Sequence, residues 1–417
     1  MKSKIFNRIL EVQFIVCWLM AVVIPKSYFK TIFVSEIILF AVYTGLNGGS
    51  IYRNLKSHKL SKAIFWLFIS FFVVAAFMYW LSFKNLTGFW HLDYIFFERK
   101  YVNRHFMVIA ELFLSIGLSL AIFRSNKLFH LKKKHLLIGS VVVGMIMVYN
   151  QSYVIFLGGL FVAIISLLAV KMNNKLITLL IPLVMISHAA YEIAAGVMLF
   201  LIFLRAPLRR FFSHNATKKI VLLLVLFILV IYFGQDSLYN IIKKDQNSLW
   251  RLLVWKNEIQ TLAKTWFTGV GFGTSYVTAD IYTIVNNSNM YMDSDGTIYE
   301  RLFLVANHNS FLNMFYRMGL LGGSLFLALN IVICSTCMNF SKEKTKWNYE
   351  YQWWAFTNYV YNLVIIALNP GMEMMQFAIN YTFSLGIILS VILKANVESI
   401  NTAKKHVTKS MYRFTTR

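Results

Sequence analysis

Acidic side chains are scarce in this sequence, with 17 Asp and Glu against 41 Lys and Arg in 417 residues, and charged residues of all kinds make up only 14%. A soluble protein of this length carries roughly 25% charged residues to build its surface. The shortage therefore excludes an ordinary water-soluble globule. Cysteine is also rare, with three residues, and Cys17, Cys334 and Cys337 all fall inside apolar runs, where thiols act as small hydrophobes. No disulfide framework is implied. Cys334-x-x-Cys337 has the spacing of a redox or metal motif, but no His or further Cys lies nearby to complete one. No small-residue cleavage site follows the first apolar stretch, which reads as a helix and not a removed signal peptide. Nor does any block repeat, which argues against an inverted-repeat transporter.

What the chain has in abundance is hydrocarbon. Hydrophobic residues make up 58%, 37 of them Phe, and the mean hydropathy is +0.60. The formal charge of +24 points at first to nucleic acid. Its distribution points elsewhere, because most Lys and Arg fall in alternate segments between apolar runs. These segments hold Lys132-Lys133-Lys134, Arg209-Arg210 and the basic tail 395–417. By the positive-inside rule they are cytoplasmic, and the charge encodes topology and contacts to anionic headgroups. No nucleic-acid partner is expected.

Crossing about 30 Å of hydrocarbon takes roughly 20 apolar residues. Runs of that kind predict spans at 8–25, 31–47, 63–82, 105–123, 136–150, 153–171, 175–189, 191–205, 219–234, 309–335, 351–368 and 376–394. The expected fold is all-α, a polytopic integral membrane protein of about 12 transmembrane helices with one large extracytoplasmic loop. Helices 1–9 occupy 1–234, the loop 235–308, helices 10–12 residues 309–394, and a cytoplasmic tail 395–417. An even number of spans places both basic termini on the same side, the cytoplasmic one. A loop this long is usually functional or disordered, and its content favours function.

Within the loop, Asn247 or Ser248 can cap a helix whose apolar residues Leu249, Leu252, Leu253, Leu262 and Trp266 recur at helical spacing up to Thr268-Gly269. An amphipathic helix along the outer membrane face is predicted, carrying Arg251 and Lys256. Simple anchoring explains such cations equally well. Gly269-Val-Gly271-Phe-Gly273 follows, a weak phosphate-loop signal that reads more simply as a helix stop and hinge. His308 and Asn309 open the tenth span, with Gly319, Gly322 and Gly323 about three turns deeper. A His at a helix mouth can serve as a base or as an ordinary polar cap. Arg317 and Glu192 are charges inside spans, where a charge is costly and usually faces a polar cavity.

Together the motifs say more than each alone. R-x-x-x-W at 251–255, W-F-T-G-V-G-F-G at 266–273, H-N-S-F-L at 308–312 and G-x-x-G-G at 319–323 resemble the O-antigen polymerase and ligase family. The resemblance covers the loop and the helix after it. It implies a metal-independent, inverting membrane glycosyltransferase, with no cofactor, acting on polyprenyl-pyrophosphate-linked oligosaccharides. A flippase and a chain-length regulator of the same pathway, and membrane lipids, are the further partners it implies. In that chemistry Arg251 holds the pyrophosphate, since a guanidinium forks onto phosphate oxygens, and His308 takes the acceptor proton or orients the acceptor, with Asn309 beside it.

Family members commonly carry a second Arg in a Ser-Arg pair before the loop. Here the corresponding segment reads Ser187-His188-Ala189. Either His188 shares the pyrophosphate, or Lys256, Arg317 or Arg104 takes that place, or the segment is not the counterpart. The expected activity is polymerisation of lipid-linked repeat units into a surface polysaccharide, an exopolysaccharide or capsule of the cell envelope. A ligase uses similar chemistry with a different acceptor. A lipid-linked oligosaccharide flippase also suits the span count but has no need of the loop, and a membrane O-acyltransferase gives no role to the Trp and Gly segment.

Overall fold

A computed structural model of the protein describes residues 59–87, 119, 122–123, 127–149, 154–185, 189–212, 215–233, 246–271, 308–340, 346–369, 380–395 and 397. The predicted spans 8–25 and 31–47, most of 105–123, and loop residues 235–245 and 272–307 lie outside these. So do His188, Arg104 and the tail beyond 397.

Among the described residues the regular structure is all helical. The elements are α1 (Lys59–Thr87), α2 (Lys127–His130), α3 (Lys133–Tyr149), α4 (Val154–Met172), a 3₁₀ turn (Lys175–Leu179) leading into α5 (Leu180–Met185), α6 (Ala189–Phe203), α7 (Arg205–Phe212), α8 (Ala216–Phe233), α9 (Gln246–Lys264), α10 (Ser310–Phe340) and α11 (Lys346–Leu368). A further helix, α12, spans Asn380–Ala395. The apolar runs predicted at 63–82, 136–150, 153–171, 191–205, 219–234, 309–335, 351–368 and 376–394 overlap these helices, because unbroken apolar sequence in lipid must bond its backbone internally, whereas the run at 175–189 is a 3₁₀ turn and a short helix that ends at Met185. One described helix, Ser310–Met338, is long and apolar enough to cross a membrane, and the pair Ala190–Phe203 and Arg205–Phe212 passes together but is bent by 78°. All-helical structure is compatible with a membrane protein, while twelve crossings remain an expectation from sequence.

Helix α10 is the hub. It packs against α1, α8, α9 and α11, and α11 in turn packs against α4 and α6. The interior mixes apolar and polar groups: Phe71, Phe326 and Ile388 are fully buried beside Asn330, Asn358, Asn362 and Asn369. The outward faces are apolar instead, with Val73 of α1, Met145 of α3 and Leu226 of α8 each about half exposed or more. Such continuous apolar faces suit a lipid solvent and would be a liability in water.

Much of the polar interior pairs across helices. Asn330 Oδ1 accepts from Tyr359 Oη (2.5 Å) and Tyr381 Oη (3.1 Å), while its Nδ2 donates to the Phe326 carbonyl (2.7 Å). Between α4 and α11, Trp354 Nε1 (2.9 Å) and Asn358 Nδ2 (3.0 Å) donate to Ser166 Oγ. Interhelical bonds of this kind are worth about 0.6–1.5 kcal/mol each in a membrane. Cys334 and Cys337 are buried free thiols, the latter 3.4 Å from the Gln352 carbonyl. Nothing in this setting makes them a metal or redox site.

Candidate functional site

Helix α10 begins at Ser310, and the reason lies in the preceding residue. Asn309 Oδ1 accepts from the Leu312 backbone N–H (3.0 Å), the bond of a helix N-cap. Asn309, not His308, is therefore the cap. His308 sits half-buried just outside the first turn, at the positive end of the helix dipole. Ser310 Oγ donates to the Asn369 carbonyl (3.2 Å), which ties this mouth to the end of α11.

Nine residues into α10 the helix breaks. Gly319 has φ 62° and ψ −165°, a conformation that a side chain rarely tolerates. In an unbroken helix the Tyr316 carbonyl would bond Leu320 N–H and the Arg317 carbonyl would bond Leu321 N–H. Here the glycine-rich turn after α9 takes these groups. Val270 N–H donates to the Tyr316 carbonyl (2.9 Å), Gly271 N–H to the Arg317 carbonyl (2.9 Å), and Leu320 N–H to the Trp266 carbonyl (2.7 Å). Gly269 (φ 69°) and Gly271 (φ 79°) turn the chain between them. The approach leaves no room for side chains: a Cβ on Gly319 would lie 2.1 Å from the Phe267 carbonyl oxygen, and one on Gly269 2.4 Å from the Gly319 nitrogen. The two glycine motifs of the sequence are thus one interlocked joint.

That joint ties the end of α9 to α10. Helix α9 runs toward it from Gln246, and the first part of α10 runs toward it from Ser310. The two helices pack on one another, and Glu258 of α9 acts electrostatically on Tyr316 and Arg317 of α10. Arg251 lies two turns before Glu258 on α9, further from the joint along its helix, as His308 and Asn309 are along α10.

The face that α9 turns inward is not the apolar one expected. Val254 and Glu258 are fully buried and Arg251 half-buried, whereas Ile259, Trp266 and Phe267 are more than half exposed. Of the residues that predicted the helix, Leu252 and Leu262 are half-buried. Packing against α10 follows the 251, 254, 258 stripe, and the exposed aromatic edge is left for the surroundings. Lys256 is exposed, about 140° round the helix from Arg251. Arg317 is only 1% exposed, and its Nη1 donates to the Gly271 carbonyl (3.3 Å). Its ring neighbour is Tyr316, 5.4 Å from the guanidinium. Glu192 is exposed in the first turn of α6, which packs on α11.

Arg251 and His308 are half-buried, while Val254, Glu258, Ser310, Asn313 and Arg317 are buried. Sequence reasoning missed Glu258. The signal was present, because it shares the helix face of Arg251 at a spacing of seven, but attention to the leucines concealed it. Among the described residues no three His, Cys, Asp or Glu side chains converge as a metal cluster would.

Among the described residues, then, an all-helical chain carries charged side chains where α9 packs on α10. Residues 175–327 match the family model described as O-antigen ligase, in agreement with the resemblance carried by the motifs. The matched segment holds Arg251, Glu258, His308, Arg317 and the glycine joint. No curated protein matches the chain.

Proposed function

We propose that the protein is a glycosyltransferase of the plasma membrane that joins polyprenyl-pyrophosphate-linked oligosaccharide repeat units into a surface polysaccharide at the outer face. The observation that supports this reading is the joint tying the end of α9, the helix that carries Arg251, to α10, which His308 precedes, within the segment similar to the O-antigen ligase family.

In the reaction, an acceptor hydroxyl oxygen attacks the anomeric carbon of the donor sugar while the bond from that carbon to the pyrophosphate oxygen breaks. Single displacement inverts the anomeric centre. The leaving polyprenyl pyrophosphate departs with its electron pair, and the cation of Arg251 together with the positive end of α10 stabilises its charge. His308 takes the proton of the acceptor hydroxyl. Asn309 holds His308 in place through the cap. Lys256, exposed on α9, is assigned to outer anionic parts of the donor, and Glu192 to hydroxyls of the glycan. Arg317 is engaged with Gly271 and Glu258, which favours a supporting role over contact with the pyrophosphate. That leaves His188 and Arg104, both outside the described residues, as the remaining candidates for the second cation.

The test is gel analysis of lipid-linked and surface glycans from cells lacking the protein, complemented with wild type, His308→Ala or Arg251→Ala. The reading expects single repeat units on the outer face and a ladder restored by wild type alone. Long chains still forming on the lipid carrier would indicate a ligase instead. Units trapped at the inner face would make the protein a flippase and sink the enzyme reading.

A further inference from the structure

Glu258 has no place in that chemistry, yet it is a carboxylate with 0% exposure in a chain short of acids. A buried charge is retained only with compensation, and Arg317, itself 1% exposed on the helix that α9 packs against, is a cation with which it interacts electrostatically. Arg317 also donates to the Gly271 carbonyl, while its own backbone carbonyl accepts from the Gly271 N–H. Arg317 therefore grips Gly271 from two sides, with its guanidinium in the field of Glu258.

We infer that Glu258 is a positioning residue: through Arg317 it locks the glycine turn onto the break at Gly319, and so sets where Arg251 stands relative to His308. The inference rests on the reading of those two residues as the reacting site. Three features point the same way. The break at Gly319 leaves backbone carbonyls that only the turn satisfies. The turn joins directly to α9, so any slip of the joint moves that helix as a rigid body. Arg251 lies two turns up the same face of α9 as Glu258, so a shift at Glu258 and Arg317 is carried to Arg251. A misplacement of about 1 Å costs on the order of 10²-fold in rate.

The experiment uses full-length protein in lipid nanodiscs, comparing wild type with Glu258→Gln, Glu258→Asp and Arg317→Lys. Hydrogen exchange by mass spectrometry reads peptides covering residues 265–272 and 316–321, and polymer formation in cells is normalised to inserted protein. Glu258→Gln is expected to lose protection in both peptides and to lose about 10²-fold in polymer formation per inserted protein. Glu258→Asp keeps the charge and restores most of both. Arg317→Lys keeps charge but not the Nη1 bond to the Gly271 carbonyl, and is expected to fall between them. Wild-type protection and polymer formation in Glu258→Gln would overturn the inference while leaving the proposed function standing. Lost protection in Glu258→Gln, with an undiminished polymer ladder in His308→Ala, would uphold the lock and remove the reaction assigned above it. Equal loss of inserted protein in the Gln and Asp variants, with activity per inserted protein unchanged, would reduce Glu258 to a folding role and also overturn the inference.

Discussion

Two buried polar regions share helix α10, and they are built on different rules. The inner one, around Asn330, Ser166 and Asn358, uses uncharged amides, hydroxyls and an indole that satisfy one another across helices. The outer one, between α9 and α10, uses charges: Arg251, Glu258 and Arg317, with His308 at its mouth. In an apolar solvent, neutral hydrogen bonds join helices at modest cost, whereas an ion demands compensation and usually marks function. The contrast separates glue from machinery within one helix.

Breaking the outer region at its mouth is expected to have the largest effect. His308→Ala should lower polymer formation by about 10²–10⁴-fold, the range for loss of a general base, without loss of inserted protein. Glycan gels together with membrane immunoblots check this. Next comes the joint. Gly319→Ala forces a side chain into a backbone carbonyl at a positive φ, and a loss of about 2–4 kcal/mol in stability is expected, read as earlier thermal unfolding in detergent.

Removing the cap at the mouth, Asn309→Ala, should cost about 1 kcal/mol and loosen His308, with activity falling about tenfold. The inner region sharpens the comparison by its indifference. Tyr359→Phe removes one of two hydroxyls from Asn330 and should cost about 1 kcal/mol of stability while leaving activity per folded protein unchanged. Arg209→Ala, on α7 far from the joint in sequence, should be nearly silent in both measurements.

The helices were legible because lipid leaves the chain little choice. Apolar runs such as 309–335 and 351–368 announce Ser310–Phe340 and Lys346–Leu368 to within five residues at each end. The joint between α9 and α10 was not legible, because it depends on bonds between Val270 and Tyr316 and between Gly271 and Arg317, which are remote in sequence. Nothing local distinguishes Gly319, where the helix breaks, from Gly322 and Gly323, where it continues. Glu258 stayed hidden for a different reason. The leucines of α9 propose one inward face, and packing against a charged partner on α10 selects another.

The central claim is that two residues divide the labour of a single displacement, Arg251 holding the leaving pyrophosphate and His308 taking the proton. Its most direct test is single-turnover reaction of a lipid-linked repeat unit by the full-length protein in proteoliposomes, with donor binding measured alongside. His308→Ala should bind donor with affinity close to wild type yet fail to turn it over, and Arg251→Ala should lose both. Wild-type turnover by His308→Ala would contradict the account.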